Sequence, residues 1–200
     1  MIRAVIFDLG KVLVHFDWKR SAAAMARRSA KSYNEILQLV TQSPLALDFE
    51  RGKISTEDFF VQLSQSMDYG GTIDELRHLW NDIFEPIQKH IDLISLLKSQ
   101  YSVGLISNTN ASHVAWIEER YGFLHQFDAR VYSHETGLIK PDRAIYEIAC
   151  SRLDVAMPEA LFIDDLPANV EGAKAAGMRA IHLTPEISLI DELRREKILS

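Results

Sequence analysis

The chain has 200 residues, 47% of them hydrophobic and 25% charged, which describes a globular protein with one substantial core and room for a small insert. Its 22 Lys+Arg against 28 Asp+Glu leave a net charge of -6, which argues against a nucleic-acid or anionic-membrane binder, because both need a positive surface field. No apolar run approaches the roughly 18 residues of a membrane span, and the charged opening Met1 to Asp8 does not suit a signal peptide, so a cytoplasmic location is expected.

In chain order, the first element is a short strand ending at Asp8, followed by a turn at Gly10 and a second apolar run, Val12-Leu13-Val14. From about Asp17 to Phe84 no strand pattern is evident, and helical periodicity takes over. Tyr33, Ile36, Leu37 and Val40 share one helical face, as do Ile73, Leu76, Trp80 and Ile83. Ser55 is placed to cap a helix carrying Phe59, Phe60, Leu63 and Met67, after a turn at Arg51-Gly52-Lys53. Four amphipathic helices are expected there. Phe16, Trp18 and Trp80 are expected to pack within this bundle rather than wall a pocket. Apolar runs then recur at residues 101–106, 129–132, 160–163 and 179–183, separated by helical stretches.

Such alternation predicts an α/β fold, a Rossmann-like doubly wound parallel sheet, with a small helical cap inserted after the first strand. The expected boundaries are 1–14 and 87–200 for the α/β core and 15–86 for the cap. Cys150, the single cysteine, sits in a helical pattern and reads as a small buried filler.

Four polar clusters fall at strand ends or in the loops that follow: Asp8-Leu9-Gly10, Ser107-Asn108-Thr109-Asn110, Lys140-Pro141, and Asp164-Asp165 with Asn169 beyond. Ligands of such sheets bind at the carboxyl ends of the strands. Asp8, Asp164 and Asp165 gathered in one crevice would repel one another unless a hard cation or a proton intervened, and an all-oxygen donor set suits Mg2+. A phosphate beside the metal would find the Lys140 charge, the Ser107 hydroxyl and the backbone N–H groups near Gly10 and at a helix start after Asn108.

The order and content of these motifs resemble the haloacid dehalogenase-like hydrolases, mostly phosphatases that form an aspartyl-phosphate. The resemblance runs over nearly the whole chain and lies closest to capped bacterial sugar-phosphate (glucose-1-phosphate) phosphatases, which share Phe-Asp-Leu-Gly and Ser-Asn-Thr-Asn. It implies that Asp8 is the nucleophile and a metal ligand, and that Ser107, Asn108 and Lys140 hold the phosphoryl oxygens, Ser107 and Lys140 with catalytic effect. It further implies that Asp165, Asp164 and the Gly10 carbonyl serve a Mg2+ ion, while Asn169 steadies Lys140 and the acidic loop. Arg20, on the first cap helix, is a candidate for a substrate carboxylate or phosphate. The substrate would be a small phosphorylated metabolite.

One position departs from the pattern. Many of these phosphatases carry a second Asp two residues after the nucleophile, as acid and base for the leaving alcohol and the water. This chain has Gly10 there, and such a group is worth roughly 100- to 10,000-fold in rate. Three readings follow from the difference: a phosphatase that handles the proton another way, a 2-haloacid dehalogenase using the same Asp8, or a non-catalytic module that binds a phospho-ligand or a protein.

Overall fold

The computed structural model describes residues 1–199. Strand β1 (Ala4–Phe7) is followed by β2 (Val14–Phe16), then helices α1 (Trp18–Ala26), α2 (Tyr33–Gln42), α3 (Pro44–Glu50), α4 (Thr56–Met67) and α5 (Ile73–Asn81). The chain returns through β3 (Phe84–Pro86) and α6 (Gln88–Leu97) to β4 (Ser102–Ser107), α7 (Ala111–Tyr121), β5 (Ala129–Tyr132) and the one-turn α8 (Ser133–Thr136). It closes with α9 (Arg143–Arg152), β6 (Ala160–Asp164), α10 (Pro167–Ala176), β7 (Arg179–His182) and α11 (Leu189–Arg195).

The five long-range strands form a parallel sheet in the order β5-β4-β1-β6-β7. β1 is central because every residue of it is buried, and its side chains alternate between two cores. Val5 and Phe7 join an apolar cluster with Ile94, Ile117 and Leu193, while Ala4 and Ile6 join one with Tyr146, Ala149 and Ala173. This period-two split is what a strand covered on both faces requires. Crossovers leave β1 toward β4 on one side and return to β6 on the other, so a crevice opens at the carboxyl ends of β4, β1 and β6. Cys150 is buried, and burial pushes its thiol up to about 11, consistent with a packing role.

β2 and β3 form a separate antiparallel ribbon, with His15 opposite Glu85, and the five helices between them surround a third apolar core. Four helices were expected; the fifth arises at Ser43-Pro44. Ser43 ends α2 in an extended conformation and caps α3 through its hydroxyl, with Pro44 in the first turn of the new helix. Ser55 caps α4 as expected, accepting from the Asp58 N–H at 3.1 Å. Trp80 is buried against Trp18, Phe59 and Phe49, so it packs within the helices. Two of the three depart from the packing expectation: Phe16 lies on the ribbon, is exposed, and borders the crevice, and Trp18 borders it too while packing on Trp80.

Two close approaches bring the helices and loops onto the crevice. A Cβ at Gly52 would stand 1.9 Å from the His134 carbonyl oxygen, and Gly52 also has φ +67°, so only glycine lets the turn after α3 rest on α8. A Cβ at Gly172 would lie 2.9 Å from the Pro141 carbonyl oxygen, so glycine lets α10 press against the Lys140-Pro141 loop.

Candidate active site

Asp8 follows directly on β1, Ser107 ends β4, Asp164 ends β6, and Lys140 stands on the loop between α8 and α9, so strand ends and one loop converge. The Lys140 ammonium, almost fully buried, donates to Asp8 Oδ1 at 2.5 Å, to Asp164 Oδ2 at 2.7 Å and to the Ile106 carbonyl at 3.2 Å. Its three donors are therefore all engaged. Burial works against that ammonium, but Asp8 and Asp164 outweigh it and hold Lys140 above its ordinary value. Asp8 is pushed the other way: burial raises its carboxyl to about 7 against the pull of Lys140, with Asp164 adding to the rise.

The supports of this trio are local. Asp164 Oδ1 accepts from the Leu166 N–H at 2.8 Å, and the Asn169 amide lies 3.1 Å from both Asp164 oxygens. Asn169 is in turn tied to α9, since its carbonyl accepts from the Tyr146 hydroxyl at 2.8 Å. Asn108 locks the Lys140 loop by a reciprocal pair: its Oδ1 accepts from the Lys140 N–H at 2.8 Å and its Nδ2 donates to the Lys140 carbonyl at 3.1 Å. The side chain of Asn108 is thus tied to the loop on the wall of the crevice, with one of its two Nδ2 hydrogens used there. The helix after this segment begins at Ala111 with Asn110 as its cap, later than expected, because the Asn110 carboxamide accepts from the His113 N–H.

Carboxylate oxygens of Asp8, Asp164 and Asp165 lie within 4.8 Å of one another. The donor set fits a hard divalent cation, since all three ligating groups are anionic oxygens and only one buried ammonium offsets them. Asp165 is half-buried, its carboxylate 3.2 Å from the exposed Lys11 ammonium, and its carbonyl lies 3.0 Å from His182 Nε2. Asp164 is more heavily committed than Asp165, because Lys140, Asn169 and the Leu166 N–H share its two oxygens.

A cavity of about 90 Å3 opens beside the nucleophile loop, lined among others by Gly10, Phe16, Trp18, Glu50, Ser107, Asn108 and His113. At roughly 30 Å3 per molecule it has room for about three waters. Ser107 is a buried residue whose hydroxyl has no protein hydrogen-bond partner among the described residues and lies on the cavity wall, which leaves it available to a ligand. His113 is fixed as a neutral ring: burial drives it down to about 3 despite the Trp80 carbonyl 3.3 Å from Nε2, and Asn110 contacts its Nδ1. Its ring stacks on Trp80 at 5.3 Å, joining the helical insert to α7.

Arg20 is not among the residues lining this cavity. Its guanidinium is exposed and pairs with Asp82 at 2.8 Å, and that partner holds it at the edge of the helical insert. Sequence reasoning in turn passed over Glu50, His113 and Ser133. The available signal for Glu50 was an acidic residue immediately before a glycine turn, which reads equally as a solvated helix end.

Gly10 is sterically filled from the ribbon. A Cβ there would lie 2.9 Å from Phe16 Cε1 and 3.9 Å from Asp8 Oδ2. Gly10→Ala is therefore expected to cost about 1 kcal/mol in urea unfolding, at the low end for overpacking, with Phe16→Leu in the same chain recovering most of it. Gly10→Asp alone should not raise turnover, since the new side chain meets the Phe16 ring before it reaches a substrate oxygen; a gain without any change at Phe16 would contradict this packing.

Residues 2–177 match the family profile described as haloacid dehalogenase-like hydrolase. A D-ribitol-5-phosphate phosphatase of Bacteroides thetaiotaomicron is 27% identical, over 88% of this chain and 89% of that one. A sesquiterpene phosphatase of Aspergillus oryzae is 30% identical over 96% and 95%. Among solved structures, a HAD family enzyme of Bacteroides thetaiotaomicron, in complex with magnesium and inorganic phosphate, superimposes with a TM-score of 0.87 at 22% identity, covering 97% of this chain and 100% of that one. An (S)-2-haloacid dehalogenase of a Pseudomonas species is more distant, at 22% identity over 91% of this chain and 84% of that one.

Proposed function

The chain belongs to the haloacid dehalogenase-like hydrolases, and from that premise we propose that it is a Mg2+-dependent phosphatase of a small phosphate monoester, a sugar phosphate first among them, working through an aspartyl-phosphate on Asp8. The single observation that carries the reading is the Asp8–Lys140–Asp164 trio beside an unpartnered Ser107 hydroxyl. Asp8 supplies the attacking carboxylate oxygen, and Lys140 holds that carboxylate in one orientation. Ser107 would donate to a phosphoryl oxygen, with Lys140 as the fixed positive charge next to it. Asp164 and Asn169 keep Lys140 in place, so the ammonium does not move when the phosphate arrives.

Asp8, Asp165 and the Gly10 carbonyl would hold Mg2+, with Asp164 at its edge, and the ion when bound would offset the negative charge shared by nucleophile and phosphate. The acidic cluster is also what separates this reading from haloacid dehalogenation, because three carboxylates without a cation would repel a haloacid anion. The magnesium and phosphate of the Bacteroides structure point the same way.

The cavity of about 90 Å3 beside Ser107 and Gly10 is small against a whole sugar phosphate. The remainder of the substrate needs the helical cap, residues 15–86, to part from the core, and the β2–β3 ribbon is the natural hinge because it is the covalent link between them. No helix among the described residues is long and apolar enough to cross a membrane, and a cytoplasmic setting completes the reading.

Phosphate release from p-nitrophenyl phosphate and from a panel of sugar phosphates is expected to vanish with excess chelator and to return with Mg2+. Release of halide from 2-chloropropionate that persists in chelator would replace this reading with the dehalogenase one.

A further inference from the structure

The phosphatase reading leaves the proton without a carrier, since Gly10 stands where related enzymes have an Asp. We propose that Glu50, delivered by the helical cap, is the group that protonates the departing oxygen and then takes a proton from the attacking water. The inference rests on the phosphatase reading and deepens it.

Geometry carries the assignment. Glu50 and Gly10 line the same small cavity, with Ser107 on its wall. Among the lining residues Glu50 is the one carboxylic acid, and the one other ionisable side chain, His113, has both ring nitrogens engaged. The Glu50 carboxyl has no hydrogen-bond or ion-pair partner among the described residues, although the residue is half-buried.

Its backbone is also pinned to the core. The Ser133 hydroxyl lies 2.6 Å from the Glu50 carbonyl, as donor, and accepts from the Thr109 N–H at 2.9 Å, so the end of α3 and the loop after β4 share one anchor. Gly52, two residues on, permits the close approach to His134 that brings α3 against α8. A Glu whose main chain is fixed two residues from that contact has its carboxyl reach set by its own side chain alone. Burial pushes it up to about 7, with Arg51 pulling weakly down, so both protonation states are accessible near neutral pH.

An Asp8 oxygen bonds to phosphorus while the bond from phosphorus to the ester oxygen breaks, and the Glu50 carboxyl proton passes to that oxygen to give the neutral alcohol. A water oxygen then bonds to phosphorus while Glu50 takes its proton, and the bond from phosphorus to Asp8 breaks. Inorganic phosphate leaves, with Asp8 and protonated Glu50 restored. Because the acid arrives with the cap, it stands in the crevice only when the cap is closed on the core, the arrangement that Ser133 and Gly52 hold.

The test compares wild type, Glu50→Gln and Glu50→Asp in Mg2+ with an alkyl phosphate, whose alcohol needs a proton, and with 2,4-dinitrophenyl phosphate, whose phenolate does not. Glu50→Gln is expected to lose roughly 100- to 10,000-fold in kcat/KM on the alkyl ester and to remain within a few-fold on the dinitrophenyl ester. With the latter it should show a burst of phenolate equal to the enzyme present, and an intact-mass increase of one phosphoryl group that Asp8→Asn abolishes. Glu50→Asp should regain part of the alkyl activity.

Thermal unfolding reports on the fold of the variant. A carboxyl raised in the folded state costs stability as pH climbs from its unfolded value toward about 7, so Glu50→Gln should gain in Tm over wild type between pH 5 and pH 8. A folded Glu50→Gln with the wild-type ratio between the two substrates overturns the inference and leaves the phosphatase reading standing. Absence of Asp8-dependent phosphate release from dinitrophenyl phosphate in the wild type removes that reading, and the inference falls with it.

Discussion

Asp8→Asn is expected to lower phosphate release from p-nitrophenyl phosphate by about 10,000-fold or more, since removal of a nucleophile forfeits the covalent route while binding is kept. An amide oxygen in the same place carries no charge with which to attack phosphorus. The variant should stay folded, because Lys140 retains Asp164 and the Ile106 carbonyl. In chelator it should even match or exceed the wild type in Tm at pH 8. Burial holds the Asp8 carboxyl up near 7, above its unfolded value of 3.8, so ionising it costs the folded state stability as pH rises through that window. Asn removes that cost. Phosphate release near the wild-type rate by a folded Asp8→Asn enzyme would exclude Asp8 as the nucleophile.

Lys140→Met is expected to produce the largest loss of stability of any single change at the site. It leaves Asp8 and Asp164 buried side by side with no countercharge, and breaking a buried ion pair from one side costs about 3–5 kcal/mol. At about 2–4 °C per kcal/mol for a chain of this size, Tm should fall by about 6–20 °C in metal-free buffer. The wild-type contribution follows from a lysine held above its ordinary value: it is fully present below the unfolded pKa and is lost only as pH rises through the folded one. In the variant the deficit should shrink as pH falls through about 7 and below, where the orphaned Asp8 carboxyl takes up a proton. Lys140→Met with Asp164→Asn should regain part of the loss. An unchanged Tm in the single variant would mean that the trio is not the electrostatic unit its 2.5 Å and 2.7 Å contacts describe.

The two changes act on one cluster with opposite signs in stability. Burial penalises the Asp8 carboxylate, and Lys140 is what makes that carboxylate tolerable. A site arranged in this way spends folding stability on a nucleophile that is dry and oriented before substrate binds.

Much of this protein was legible without coordinates. The alternation of short apolar runs with helical periods announced a parallel sheet, because each such strand must be covered on both faces and each crossover needs a helix. Asp8, Ser107, Lys140 and Asp164 stood out because each follows a strand or its connecting loop, and in this topology those ends meet. Ser55 was readable as a helix cap since a cap is a local hydrogen bond between near neighbours. The Ser43-Pro44 start is equally local, yet the short helix it opens fell between the expected ones and was assigned no periodic face of its own.

What the sequence could not determine were relations between residues far apart in the chain whose meeting depends on how the helical insert sits on the core. Arg20 had the right chemistry for an anion, but Asp82, 62 positions away, claims it. Phe16 looked like packing, and only the ribbon's path shows it occupying the space beside Gly10. Glu50 carried no motif, and its place in the crevice depends on Ser133, 83 residues later. Periodicity and strand-end chemistry are encoded over a few residues and survive in one dimension. The partner of a side chain is set by long-range packing, and that was decided by the tertiary structure alone.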